Sequence, residues 1–203
     1  ENLVQFAIMG AAFARTILGL PWPTVGLLNV GEEEMKGNEA VKGAAAILSQ
    51  ADLPLRFHGF IEGDDIAKGT TDIVVTDGFT GNVALKTVEG TAKLFSEFLR
   101  TAFNQSALSK LGYLLAKPAM KALRDRIDPR HHNGGVLLGL NGVSVKSHGG
   151  MDDVGFATAI GLTADMVADD LIGRIIADMA QFTDSDERPD DSPDETQHQA
   201  LAR

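Results

Sequence analysis

The chain has 203 residues, 44% of them hydrophobic, which is enough apolar mass for one good core, or for one domain and part of another. A formal charge of −10 excludes a general nucleic-acid binder, because neutralising phosphates needs a basic surface. The lack of cysteine excludes disulfide and thiolate chemistry and fits a reducing cytosol, and no apolar run reaches the roughly 18 residues that span a bilayer.

The sequence opens at Glu1 inside a helical pattern with no lead-in, and reads as a fragment. Residues 2 to 19 place Leu3, Ala7, Ala11, Ala14 and Leu18 at helical spacing, with Gly19 and Pro21 as the stop. "TVGLLNV" (24–30) is a continuous apolar run, as in a strand buried on both faces. A helix is predicted over 38–50, then strands at "LRFHGFI" (55–61) and "DIVVTD" (72–77). From Thr80 to Phe103, Val83, Val88, Ala92, Phe95 and Leu99 fall near one helical stripe. A second helix, or a pair broken near Pro118, is predicted from Ser106 to about Ile127. "GVLLGL" (135–140) and "VSVK" (143–146) read as two strands around Asn141-Gly142, a dipeptide favoured in tight hairpins. One long helix is predicted from Asp152 to about Phe182, with Ile160, Ala164, Val167, Leu171 and Ile175 in register. Beyond it, residues 183–203 form an acidic segment with Pro189 and Pro193, expected to be a disordered tail. Strand alternating with helix puts the chain in the α/β class with a largely parallel sheet.

In such a sheet ligands collect at the carboxyl ends of the strands. Three glycine-rich turns follow predicted strands and precede helices: "NVGEEEMKGN" (29–38), "TDGFTGN" (76–82) and "KSHGG" (146–150). Helix N-termini expose unpaired N–H groups that suit a phosphate or an oxyanion. Each turn can equally be an ordinary strand-to-helix connection. Lys36 is either a solvated loop charge or a cation over a phosphate or carbonyl oxygen; His148 is either a turn histidine or a proton carrier. No GxxxxGK[ST] and no GxGxxG after a strand is present, so neither ATP nor NAD has a signature, and no cofactor is expected. Metal is not expected either: His131 and His132 are adjacent, and there is no HExxH and no cysteine. His58 lies within a predicted strand and reads as structural, and no GxSxG elbow is present.

Residues 105–130 run against the overall charge. "ALSKLGYLLAKPAMKALRDRI" combines Leu111, Leu114 and Leu115 with Lys117 and Lys121. This amphipathic excursion can lie on an anionic membrane, receive an acidic partner, pack on a second copy, or pack on its own domain.

Together, "PTVGLLNVGEEEMKGNE", "DIVVTDGFTGNVALKTVEG" and "LLGLNGVSVKSHG" resemble the phosphate acyltransferase family of bacterial phospholipid synthesis (the PlsX type), over residues 1 to about 180. Members often carry serines after the His-Gly pair, where this chain has Gly150-Met151. The resemblance implies a three-layer Rossmann-like fold of the isopropylmalate dehydrogenase and phosphotransacetylase group, with a protruding helical segment. It implies transfer of a long acyl chain from acyl carrier protein to inorganic phosphate, giving acyl phosphate. It also implies a cytoplasmic homodimer peripherally associated with the inner face of the membrane, and that this chain lacks roughly an N-terminal half. Lys36 would then be the phosphate or oxyanion cation. Asn82, Thr80 and the amides of Gly78 and Gly81 would be donors, Asn29 and Gly31 would lie nearby, and His148 would be a donor or the acid on the thiolate side. Asp77 is expected to bond the turn's own amides. A short-chain phosphotransacylase using acyl-CoA, and an inactive fragment that keeps only its dimer and membrane surface, are the competing readings.

Overall fold

The computed structural model describes residues 2–126, 128, 130 and 133–186. In chain order the elements are α1 (Asn2–Ile17), β1 (Thr24–Leu28), α2 (Glu39–Leu48), β2 (Arg56–Ile61), α3 (Gly63–Lys68), β3 (Ile73–Val75), α4 (Gly78–Asn104), α5 (Ala107–Arg126), β4 (Gly135–Val136), β5 (Val145–Lys146), α6 (Asp153–Ala168) and α7 (Leu171–Asp186). The first three strands form a parallel sheet in the order β2-β1-β3, so the fold is α/β and Rossmann-like. β1 is the central strand, which explains its uninterrupted apolar run; Val25 and Leu27 are fully buried. They meet Leu3, Val4, Ala7 and Ile8 of α1 and Val41, Ala44 and Leu48 of α2 in the main core. From β1 the chain crosses by α2 to one side, then by α3 back to the far side of β1. Right-handed crossovers require these two helices to lie on opposite faces of the sheet.

A second core joins the other face of α1 to the last two helices, through Met9, Ala12, Met166, Leu171 and Ile175. Arg15 of α1 pairs with Asp178 of α7 across this seam. Burial raises the Asp178 carboxyl above its ordinary range, against the pull of Arg15 and Arg174.

The structure corrects several expectations. The helix expected over 152–182 is two helices, broken at Asp169 and Asp170, where Asp170 has φ 51°. The expected stripe therefore splits: Leu171 and Ile175 are buried, while Ile160 and Val167 are exposed. The hairpin is real and antiparallel, but its strands are only 135–136 and 145–146. Asn141-Gly142 sits within a wide loop closed by Leu137 N–H donating to the Ser144 carbonyl at 2.9 Å. α3 was not foreseen, because a six-residue helix is too short to show periodicity. α5 runs unbroken through Pro118, whose missing N–H leaves the Leu114 carbonyl without its helical partner, on an exposed helix. His58 lies exposed on β2. The acidic segment is helical through Asp186, and residues 187–203, like His131 and His132, lie outside the described residues.

α4 and α5 pack chiefly on each other, joined by Gln105 and Ser106 and by a tilted Phe103–Tyr113 ring contact with centroids 5.2 Å apart. At about 1.5 Å per residue, α4 is roughly 40 Å long. None of its residues is buried, so the stripe read from its sequence is not a core stripe in this chain: Val83, Val88 and Phe95 are exposed. Among the described residues no helix is long and apolar enough to cross a membrane.

Candidate functional site

Parallel strands send their following loops out of one edge of the sheet. Here the chain turns to one side of β1 to make β2 and to the other to make β3. The β1 and β3 loops thus flank a topological switch point, where open α/β sheets leave a crevice for ligands. Leu27 is paired with Val75, so the two loops leave level with each other, about 4.8 Å apart at their roots.

The first loop is shaped from inside. The Asn29 backbone N–H donates to Ile61 at 2.9 Å, and its side-chain Nδ2 donates to the carbonyls of Gly31 at 3.1 Å and Lys36 at 3.0 Å. Gly37 has φ +92°, and a Cβ there would stand 2.1 Å from Asn29 Oδ1. Gly31 is buried beneath the Lys36 stem, whose Cδ would lie 2.5 Å from an added Cβ. Lys36 Nζ is half-exposed and pairs with Glu33 Oε1 at 3.0 Å. The Glu33 carboxyl is held below its ordinary range, first by a backbone hydrogen bond and then by Lys36. Asn29 is therefore the clasp of a loop that carries an ammonium at its end. Asn38 closes the loop as the N-cap of α2.

The second loop is the N-terminus of α4. The Asp77 carboxylate caps it, accepting from the Phe79 and Thr80 amides at 3.0 and 2.9 Å and from the Thr80 hydroxyl at 2.6 Å. These bonds hold its carboxyl below the usual range, the Thr80 hydroxyl contributing most. Thr80 thus points its donors into the turn. The Gly81 amide bonds the Asp77 carbonyl at 2.9 Å, and a Cβ on Gly81 would press to 2.8 Å from the Thr76 methyl. The donors of this turn that remain for a ligand are the Gly78 amide and the exposed Asn82 carboxamide.

The third turn, between β5 and α6, reaches α4. His148 Nδ1 accepts from the Gly150 amide at 3.2 Å, which leaves the ring proton on Nε2. Nε2 faces Glu89 Oε1 at 4.0 Å. Glu89 is also bonded by Lys86 at 3.0 Å, and Lys86 is the main reason its carboxyl lies below the ordinary range. Asn82, Lys86 and Glu89 are spaced four and three residues apart and share one face of α4, so Asn82 and Glu89 are about 10 Å apart along it. The structure therefore brings Asn82 and His148 to one polar stripe and roots the Asn29–Lys36 loop at the neighbouring strand. Leu111, Leu114, Leu115, Lys117 and Lys121 are all exposed on α5, outside this crevice.

Sequence reading missed three residues of this arrangement: Lys86, Glu89 and Asn133. The first two stand in the sequence as a polar i, i+4, i+7 series beginning at Asn82, on a helix whose apolar stripe is the stronger signal. Asn133 had no signal, since its partners lie 14 to 22 residues away.

A family described as fatty acid synthesis protein matches residues 1–174. A phosphate acyltransferase of Parvibaculum lavamentivorans is 60% identical over 182 residues, covering 90% of this chain and 50% of that protein. One from Rhodospirillum centenum is 54% identical over 201 residues, 99% of this chain and 57% of that protein. One from Paramagnetospirillum magneticum is 57% identical over 175 residues, 86% of this chain and 50% of that protein. The chain spans about half the length of the curated relatives it matches.

Proposed function

The chain belongs to the fatty acid synthesis protein family, and from that premise we propose that it carries one side of the active site of a phosphate acyltransferase. The reaction is attack of inorganic phosphate on the thioester of acyl-[acyl carrier protein], giving acyl phosphate for phospholipid synthesis. The observation that carries this reading is the pairing of β1 with β3, which roots an ammonium-bearing, clasped loop beside a helix start with free donors; an imidazole with its proton on Nε2 stands further along that helix, at Glu89.

In balanced form, a phosphate oxygen bonds the acyl carbon, the carbon–sulfur bond breaks, and the proton of hydrogen phosphate ends on the carrier thiol. Lys36 and the Gly78 amide hold the anion, and phosphate displaces Glu33 from Lys36. Asn82 donates to the tetrahedral oxyanion, which preorganised donors stabilise without a covalent intermediate. The Nε2–H of His148 donates toward the departing sulfur. Asn29, Gly31, Thr80 and Gly81 keep the two loops in shape. No cofactor is required.

Lys36→Ala, placed in a polypeptide of the relatives' full length, should lower acyl phosphate formation roughly 10²-fold or more. Activity within a few-fold of the parent would remove Lys36 from the mechanism. Preference for acyl-CoA would favour the short-chain reading, and inactivity of the present chain with self-association intact would favour an interaction fragment.

The exposed apolar and basic surface of α5 supports a second role. Leu111 and Leu115 lie within the first half of the helix, close to the Gln105-Ser106 turn that joins it to α4, with Lys117 and Lys121 following. We assign this surface to an anionic membrane, at the inner face and in the cytoplasm; the carrier protein and a second copy of the chain compete for it. Leu111→Glu with Leu115→Glu should abolish flotation with anionic vesicles, and unchanged flotation would rule the membrane role out.

A further inference from the structure

We propose that Asn133 is a positioning residue for His148: it fixes the turn so that the imidazole presents Nε2–H toward the polar stripe of α4. The inference rests on the reading of His148 as a donor to the reacting group. Asn133 is 5% exposed and uses both ends of its carboxamide. Oδ1 accepts from the His148 backbone amide at 3.0 Å, while Nδ2 donates to Ser147 Oγ and to the Gly155 carbonyl, both at 2.8 Å. One buried side chain thus joins the entry to β4, the histidine turn and the first turn of α6.

Apart from Arg130, which pairs with Asp152 at 3.3 Å at the far end of the turn, and Glu89, which faces the ring, the other polar contacts of the turn are internal to it. The Met151 amide donates to the His148 carbonyl at 3.2 Å, and the Gly150 amide donates to His148 Nδ1. These bonds form within the turn and do not tie it to the body of the protein, so its shape and the ring tautomer last only while the turn is anchored from outside. Asn133 anchors it, and from a position where water cannot take its place. Glu89 faces the ring from the α4 side, and its carboxylate is bonded by Lys86 and lies within the field of Lys93. Release of the Asn133 contacts would let the half-exposed ring leave that stripe.

The test combines a spectroscopic readout on this chain with kinetics in the full-length context. Ring nitrogen-15 shifts of His148, identified by loss in His148→Ala, should report the single Nε2–H tautomer. Asn133→Ala should replace it with the mixed tautomers of a free histidine while the remaining amide spectrum stays folded. Turnover should fall roughly 10²-fold, as for a misplaced catalytic group, with little change in the KM for phosphate. In a His148→Ala background the same change should cost nothing further. Where Asn133→Ala fails to fold, Asn133→Ser carries the test: its hydroxyl is too short to hold His148, Ser147 and Gly155 at once, so the single tautomer should again be lost.

Unchanged ring signals in Asn133→Ala, or in Asn133→Ser where that variant is used, would overturn the proposal, as would an equal additional loss of turnover in the His148→Ala background. Full activity of His148→Ala would instead sink the reading of the site on which the proposal rests.

Discussion

The clasp at Asn29 makes a prediction that can be worked in numbers. A methyl at Gly37 would stand 2.1 Å from Asn29 Oδ1 and 2.8 Å from its Cγ, so Gly37→Ala must expel the Asn29 carboxamide. That breaks the two bonds to Gly31 and Lys36, worth about 0.5–1.5 kcal/mol each. The φ of +92° adds about 1–2 kcal/mol of strain for a residue with a Cβ. The expected loss is therefore about 2–5 kcal/mol. Asn29→Ala alone should lose about 1–3 kcal/mol, from the bonds without the strain. If the effects were independent the double variant would lose about 3–8 kcal/mol, but the bonds can be lost only once, so it should stay near 2–5. Denaturant unfolding of the four proteins measures the cycle, and amide exchange at Lys36, whose N–H bonds the Glu33 carbonyl at 3.0 Å, reports the loop directly. An additive double variant, or a Gly37→Ala protein with parental stability and exchange, would refute the clasp.

Leu27→Ala, at the fully buried centre of the sheet, should cost about 2–5 kcal/mol and lower Tm by roughly 4–20 °C, read by calorimetry. Glu33→Gln should free Lys36 and lower the KM for phosphate without loss of turnover; a raised KM would argue that Glu33 orients Lys36 rather than competes for it. Asp77 has a folded pKa below its ordinary value, so its cap stabilises α4 fully above the unfolded value, about 3.9, and is lost as pH falls through the lower folded value. Amide exchange at Phe79 and Thr80 should accordingly accelerate below about pH 4, and Asp77→Asn should remove most of that pH dependence.

Local chemistry was legible wherever it was carried by neighbours in the chain. The apolar run of β1, the start of α2 near residue 38 and the Asp77 cap of α4 each depend on residues within a few positions. The turn at 76–82 could be read as a helix start for that reason, and Asp77 does bond the turn's own amides as expected. Periodicity in the sequence did not settle what a stripe packs against or whether one helix carries it. The stripe of α4 is regular in sequence, yet no described residue covers it, and the stripe through 160–175 crosses a helix break.

What the sequence by itself determined is the α/β class, the three glycine-rich turns and the family, because each is written in contiguous residues. Strand order was decided by the tertiary structure alone. Placing β1 between β2 and β3 sets the Asn29–Lys36 loop beside the start of α4. The approach of His148 to Glu89 and the hold of Asn133 on His148 are likewise tertiary. They join residues 59 and 15 positions apart in the chain, and no local pattern encodes a contact whose partner is chosen by how helices pack.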